Sequence, residues 1–407
     1  VNRWLFLFRQ QARQLWFRAT TYALFAIIAA LSSVALARFV PKDLADRLGG
    51  NAVETVLGIL ASSLLAVATF SVGSMVSAYT AVSAAASPRV AELITADTET
   101  QKSLSTFVGV FLYAIVALTA VNAGYYGPEG RTILFLFSMA VVALVAYRLL
   151  AWINRLGSLA RVSHMIELVE KKACQALADR AHKPWLGGRP GHLPNGEAIA
   201  ASKTGHVQNV DVAALQSLAE KDEGLIEIVA PPGTFVRQGD TLARTTLPLT
   251  ADTAAQDIAE AFVIESRRSF DQDPRFGLTV LGEIAARALS PGVNDPGTAI
   301  EVMASGVRLL NDWAGAAPEE AMAYPQILAA PLDAADLLED IFGPVGRYGA
   351  GDLSVALWLQ KALQSLAAIQ GALGAAAAER AERELSRARQ TLTLDADRAR
   401  LARETAG

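Results

Sequence analysis

Charge-free apolar runs alternate with short polar joints until about residue 155, and the rest of the 407-residue chain is polar. Ala19–Ala37, Thr55–Pro88 and Ser103–Pro128 contain no Asp, Glu, Lys or Arg; Thr132–Tyr147 is followed by Arg148 and then by Leu149–Asn154. A helix needs about 20 apolar residues to cross the hydrocarbon core of a bilayer, and lipid obliges each crossing segment to satisfy its backbone polar groups internally. The pattern therefore predicts a polytopic α-helical membrane protein with four spans and a large soluble region after them. Four buried helices of a soluble protein would not carry charge-free runs this long.

The second run is the longest. As one helix, Thr55–Pro88 would extend about 50 Å at 1.5 Å per residue, so it must tilt or protrude beyond the bilayer. Along it Ser71, Ser74, Ser77, Thr80 and Ser83 recur every third residue, with Gly73 beside them. This stripe has two readings. Small residues let helix backbones approach and hydroxyls bond across the contact; polar residues inside a membrane also line aqueous cavities. On the second reading these five residues are the candidate pathway lining. No acid occupies the middle of a run, and Glu54 stands at the outer edge of the second. Coupled transporters usually hold a carboxylate at the midplane, so a passive conduit fits better than a pump.

Beyond the fourth run, Leu156–Ala181 carries Leu159, Met165, Ile166, Val169 and Ala173 at helical spacing, which predicts a helix continuing out of the membrane. Lys183–Thr204, rich in Pro and Gly, reads as a linker. Gly205–Leu249 reads as β structure: His206–Val212 alternates, Ala213–Glu220 is a short helix and Gly224–Ala230 is β-rich. Gly233-Thr234-Phe235-Val236-Arg237-Gln238-Gly239-Asp240-Thr241-Leu242 resembles the glycine-turn hairpin of biotinyl, lipoyl and hybrid domains. Those carriers need a lysine at an exposed tip; Lys221 lies in Glu-Lys-Asp with no methionine near, so no cofactor is expected. From Ala254 onward the chain reads as helical, ending in the charge-dense Glu379–Glu404. The expected organisation is an amphipathic segment over 1–18, a four-helix membrane domain over 19–155 and a connecting helix with linker over 156–204. A small β-domain over 205–250 and a helical domain over 251–407 complete an α+β soluble region.

The densest polar pattern runs from Ser269-Phe270-Asp271-Gln272-Asp273-Pro274-Arg275-Phe276-Gly277 through Glu283 and Arg287 to Ser290-Pro291-Gly292-Val293-Asn294-Asp295-Pro296-Gly297-Thr298. In each Asp-Pro pair a capping residue precedes a proline suited to the first turn, which predicts helices starting at Pro274 and Pro296. Capping accounts for the pairs themselves. It accounts less well for Asp271, Arg275, Glu283, Arg287 and Asn294 gathering in one helical hairpin, so together with Asp273 and Asp295 they form a candidate polar cluster for an ion, a ligand or a neighbouring subunit.

Composition narrows the function classes. A net charge of −4 argues against a nucleic-acid partner. One cysteine, Cys174, and four histidines without tight spacing argue against a disulfide framework and a metal site. Val1–Thr20 is aromatic and arginine-rich, as expected of a helix lying along headgroups rather than of a cleaved signal. Arg9, Arg13 and Arg18, Arg89 and Lys102, and Arg148, Arg155 and Arg161 weight one side of the membrane against Arg38, Lys42, Arg47 and Arg131 on the other. The bias is moderate and places both termini in the cytoplasm.

Ser87-Pro88-Arg89 with Asp97, Thr100, Gln101 and Leu104, followed by Phe107, Phe111 and Tyr113, resembles the middle-loop pattern of a bacterial family of predicted membrane proteins, domain of unknown function 2254. Phe270–Thr298 resembles that family's second hallmark, with the Gly233–Leu242 turn between them in the same order. The resemblance covers nearly the whole chain and implies a four-span domain in the bacterial inner membrane with a cytoplasmic region, but no established activity. Two functions follow from the residues: a homo-oligomeric channel-like conduit gated by its cytoplasmic domain, or a membrane-anchored sensor or scaffold. An enzyme is not expected, since no local nucleophile–base signature, phosphate loop or dinucleotide glycine pattern is present.

Overall fold

The computed structural model describes residues 15–36, 52–85, 87–95, 97–159, 161–248, 252–317, 319 and 322–405. The expected amphipathic segment lies outside them up to residue 14, as does the outer loop of 37–51. The chain divides into two compact units: one holds 15–84 and 88–161, the other 85, 87 and everything from 162.

The first unit is helical: α1 (Leu15–Leu36), α2 (Ala52–Ala85), α3 (Pro88–Thr95), α4 (Thr98–Asn122) and α5 (Pro128–Leu159). Among the described residues three helices are long and apolar enough to cross a membrane, Ala52–Val82, Glu99–Asn122 and Pro128–Gly157. The sequence led to four. The remaining run falls on α1, a 22-residue helix whose side chains are described only in part. α4 is the most enclosed of the three spans, packing on α1 and α5. Gly109 permits the approach to α1, since a Cβ there would stand 3.1 Å from Tyr22 Cβ. Arg131 pairs with Glu54 at 3.2 Å where α5 and α2 begin, while Arg155, near the end of α5, pairs with Asp97 ahead of α4 at 2.7 Å. These two ion pairs make α4 antiparallel to α2 and α5.

The second unit opens with α6 (Val162–His182). The single helix expected over 156–181 is thus two, since α5 ends at Leu159 and Arg161 is not helical. Then follow β1 (Glu197–Ala200), β2 (Gly205–Val210), α7 (Val212–Lys221), β3 (Ile226–Ile228), β4 (Phe235–Val236), β5 (Thr241–Thr245), α8 (Asp252–Glu260) and β6 (Phe262–Glu265). After these come α9 (Pro274–Ala288), α10 (Pro296–Gly315), β7 (Ile327–Ala329), α11 (Ala334–Gly349), α12 (Leu353–Ala367), α13 (Ala372–Thr391) and α14 (Asp395–Thr405).

The strands form two sheets, β1-β5-β3-β7 and β4-β2-β6, antiparallel except for the β3–β7 pair. Val207, Val210, Leu215, Ile226, Leu242 and Ile327 share their buried core. The β region is therefore wider than 205–250: β1 lies in the expected linker, and β6 and β7 lie in the stretch expected to be helical. Phe262–Glu265 and Ile327–Ala329 are apolar runs too short for periodicity to separate strand from helix. The expected hairpin also differs. β4 joins one sheet and β5 the other, so the turn Arg237–Asp240, closed by Asp240 accepting from the Arg237 N–H at 2.8 Å, carries the chain between sheets. Lys221 ends α7 and is not at that turn.

The helical layer packs α9 against α6, α10 and α11, and α12 against α10 and α13. Glycines set the closest crossings. A Cβ at Gly277 would fall 2.4 Å from Ala173 Cβ, and one at Gly282 would fall 2.4 Å from the carbonyl oxygen of Asp340. That carbonyl has lost its intrahelical donor, because Pro344 stands four residues on and has no N–H.

Candidate functional site

α9 begins where the Asp-Pro pattern predicted. Asp273 caps it, accepting from the N–H groups of Arg275 and Phe276 at 3.1 Å each, and Pro274 fills the first turn. The same carboxylate receives a two-point contact from Arg268, Nε to Oδ2 at 2.7 Å and Nη2 to Oδ1 at 3.0 Å, and is 2% exposed. The Arg268 guanidinium also lies over the Phe276 ring, 5.0 Å from its centre, and the Phe270 ring packs against Phe276 at 4.4 Å, tilted by 44°. Gly233 closes the group from the turn before β4. Its φ is +97°, and a Cβ on it would fall 2.6 Å from Asp273 Oδ2. Two motifs 40 residues apart in the chain thus meet at one carboxylate.

Two residues beyond Asp273, Arg275 reaches across to α11, donating from Nε to Asp340 at 2.6 Å and from Nη1 to Asp336. Burial raises the Asp340 carboxyl above the ordinary aspartate value despite Arg275 beside it. Asp271 accepts from the Ser269 hydroxyl at 3.0 Å. Midway along α9, Glu283 accepts from the Ser87 hydroxyl at 3.1 Å, within the same unit.

The rest of the candidate cluster lies at the other end of the helix, about 22 Å away over 15 residues. There Asp295 caps α10, accepting from the Thr298 N–H at 3.1 Å and its hydroxyl at 2.7 Å. These bonds hold its carboxyl below the ordinary value. Asn294 takes the left-handed conformation, φ +51°, that lets Asp295 N–H reach the Ala288 carbonyl at 2.8 Å. Arg287 is exposed, and its guanidinium pairs with no carboxylate among the described residues. The expected cluster is accordingly a capped and ion-paired group at the start of α9 and a helix cap beyond its end, with Glu283 midway between them, and not one convergent site.

Of the middle-loop residues, Asp97, Thr100 and Gln101 come together, whereas Ser87 bonds Glu283. Asp97 caps α4 through the Thr100 N–H at 3.0 Å, accepts the Thr100 hydroxyl at 2.8 Å, and receives Arg155 Nη2 at 2.7 Å and Nε at 3.3 Å. Burial pushes its carboxyl up, but the Arg155 and Thr100 bonds outweigh that and leave it below the ordinary range. Thr100 and Gln101 are buried beside it, Pro88 begins α3 and Arg89 follows there, exposed.

The hydroxyl stripe of α2 does not share one environment. Ser71 is fully buried, and its hydroxyl has no partner among the described residues. Ser74 is half-buried, and Ser77 and Thr80 are exposed; Thr80 donates back to the Val76 carbonyl at 2.6 Å. The side chain of Ser83 lies outside what is described. Arg268, Arg148, Arg155 and Arg180 were not singled out from the sequence as site residues. Only Arg180 carried a usable signal, falling on the apolar face of α6 three and four residues after Leu177 and Ala176.

A family model described as "Predicted membrane protein (DUF2254)" matches residues 12–365. The chain is also similar to an uncharacterized protein of Mycobacterium bovis and one of Mycobacterium tuberculosis, each 36% identical over 110 residues. Each match covers 26% of this chain and 21% of the relative, so the chain spans about a fifth of the length of these curated proteins. No solved structure matches.

Proposed function

The chain belongs to this DUF2254 family of predicted membrane proteins, and from that premise we propose that it assembles as a homo-oligomer forming a channel-like conduit for ions or small solutes. In this reading α1 is the fourth span and both termini are cytoplasmic in a bacterial inner membrane. The soluble region sets whether the path is open. The observation that carries the reading is the uncovered second half of α2. Val53, Leu57, Leu60 and Leu64 bury one side of its first half, whereas in the second half Gly73, Ser77, Thr80 and Ala81 are exposed together with Phe70, Val72, Val76 and Tyr79 in the single chain. A charge-free face of small and hydroxyl residues suits close contact with another copy or with water in a path between copies. The acids of both motifs serve as caps and ion-pair partners, and we assign the chain no catalytic chemistry.

Ion flux through liposomes carrying the purified protein tests the proposal. The parent protein is expected to conduct, and Ser77→Leu to reduce flux with assembly intact, because bulk narrows and dries a path. A second reading, the membrane-anchored sensor or scaffold, is favoured by the Thr80 hydroxyl bonding its own helix, which removes its need for water. Assembly without flux under any gradient would leave that reading in place of the conduit.

A further inference from the structure

The buried face of α6 ends on an arginine. Met165, Ile166, Val169, Ala173, Ala176 and Leu177 are buried along it, and Arg180 follows, 7% exposed. Its Nη2 donates to the Ala330 carbonyl at 2.7 Å. Its Nε and Nη1 are buried with no hydrogen-bond partner among the described residues, and no carboxylate among them forms an ion pair with it. Burial pulls the guanidinium down to about 10, below the ordinary arginine range. A buried charge costs free energy unless it is paired and hydrogen-bonded. The other buried arginine of this unit, Arg380, has carboxylates beside it, forming ion pairs with Glu384 at 2.9 Å and with Glu339. Arg180 has none among the described residues.

Arg180 borders a cavity of about 250 Å³, partly open to solvent, formed where α6, the end of α10, the segment after β7 and the α12–α13 joint come together. At roughly 30 Å³ each that is room for about eight waters. The walls are apolar, with Trp313, Pro331, Leu332 and Leu373 among them, and Gln370 is the other polar side chain. Binding sites for small molecules have this composition: apolar walls with a few placed polar groups. A lone guanidinium is the charge complement of a single carboxylate. Inorganic phosphate, more highly charged and hydrated, would meet apolar walls with only one cation to balance it.

We propose that this cavity binds a small carboxylate with an apolar body, Arg180 supplying the counter-charge. The inference does not depend on whether the membrane domain conducts. It is tested by titrating the full chain in detergent with benzoate at constant ionic strength. Saturable binding, one benzoate per chain, is expected, weakened at least about tenfold by Arg180→Gln through loss of a charged hydrogen bond. Neutral benzamide should bind as weakly to the parent protein. Ala372→Phe, which fills the cavity and leaves Arg180 in place, should abolish binding at unchanged melting temperature, and it decides the matter if Arg180→Gln fails to fold. No saturable binding to the parent chain, phosphate binding tighter than benzoate, or benzoate binding indifferent to either substitution would overturn the assignment.

Discussion

At the scale of single residues, the two capping aspartates look alike in the sequence and differ in the structure. Asp295 is exposed and serves α10 alone, so Asp295→Ala should cost about 1 kcal/mol, the usual value of a cap. Asp273 caps α9 and also neutralises Arg268 while 2% exposed. Asp273→Ala leaves that arginine facing an emptied site and should cost roughly 3 kcal/mol or more. Denaturant unfolding of the two variants checks the difference, and equal losses would mean that Arg268 contributes nothing. Acid should act through the same groups. Glu170, held by Arg308 and Ser305, and Asp295, held by Thr298, both ionise below their ordinary values of 4.5 and 3.8. Their stabilisation is complete above those values and is lost as pH falls through the lowered ones. Asp340, raised by burial, works in the opposite sense, since the folded chain takes up its proton first. Stability should therefore fall on acidification below about pH 4.5, and less steeply in Asp295→Asn.

At the scale of elements, the sequence was most informative where a residue type has one job. Asp-Pro marked the starts of α9 and α10, and most of the Thr55–Pro88 run appears as one helix, α2, which ends at Ala85, while Pro88 begins α3. It was least informative where pairing is long-range. β3 lies beside β7 about a hundred residues later, through three residues on each side, too few to show a period. The polar residues around α9 are close in sequence, yet a rising helix carries them to opposite ends. Their actual neighbours, Gly233 for Asp273 and Asp340 for Arg275, come from elements that no local pattern connects to them. Close helix crossings depend on glycines whose partners were equally hidden. Gly346 faces the buried carboxylate of Glu384, which a Cβ would displace. Gly346→Ala should break the Arg380–Glu384 pair and cost roughly 3 kcal/mol. In the first unit Gly109→Leu should push α1 off α4 and lower the melting temperature in detergent, an overpacking effect of about 1–3 kcal/mol. Unchanged stability would show that α1 does not rest on Gly109.

At the scale of the whole molecule, membrane character was legible because charge-free length has few other causes, and the family match agrees with it. Sidedness and copy number leave weaker marks: arginines fall on both sides of the apolar runs, and a single chain does not display its partners. With Cys174→Ser as background, Asp46→Cys should be labelled by an impermeant thiol reagent from outside and Glu197→Cys should not, the reverse pattern inverting the proposed orientation. The conduit itself is tested most directly in liposomes, by exposing Ser77→Cys in that background to a water-soluble thiol reagent while flux is recorded. A water-filled path predicts that the reagent reaches the thiol and that flux falls as it reacts, with Leu64→Cys, on the covered side of the same helix, unaffected. Flux that is absent from the start, or a thiol at 77 that never reacts in the assembled protein, would contradict the conduit.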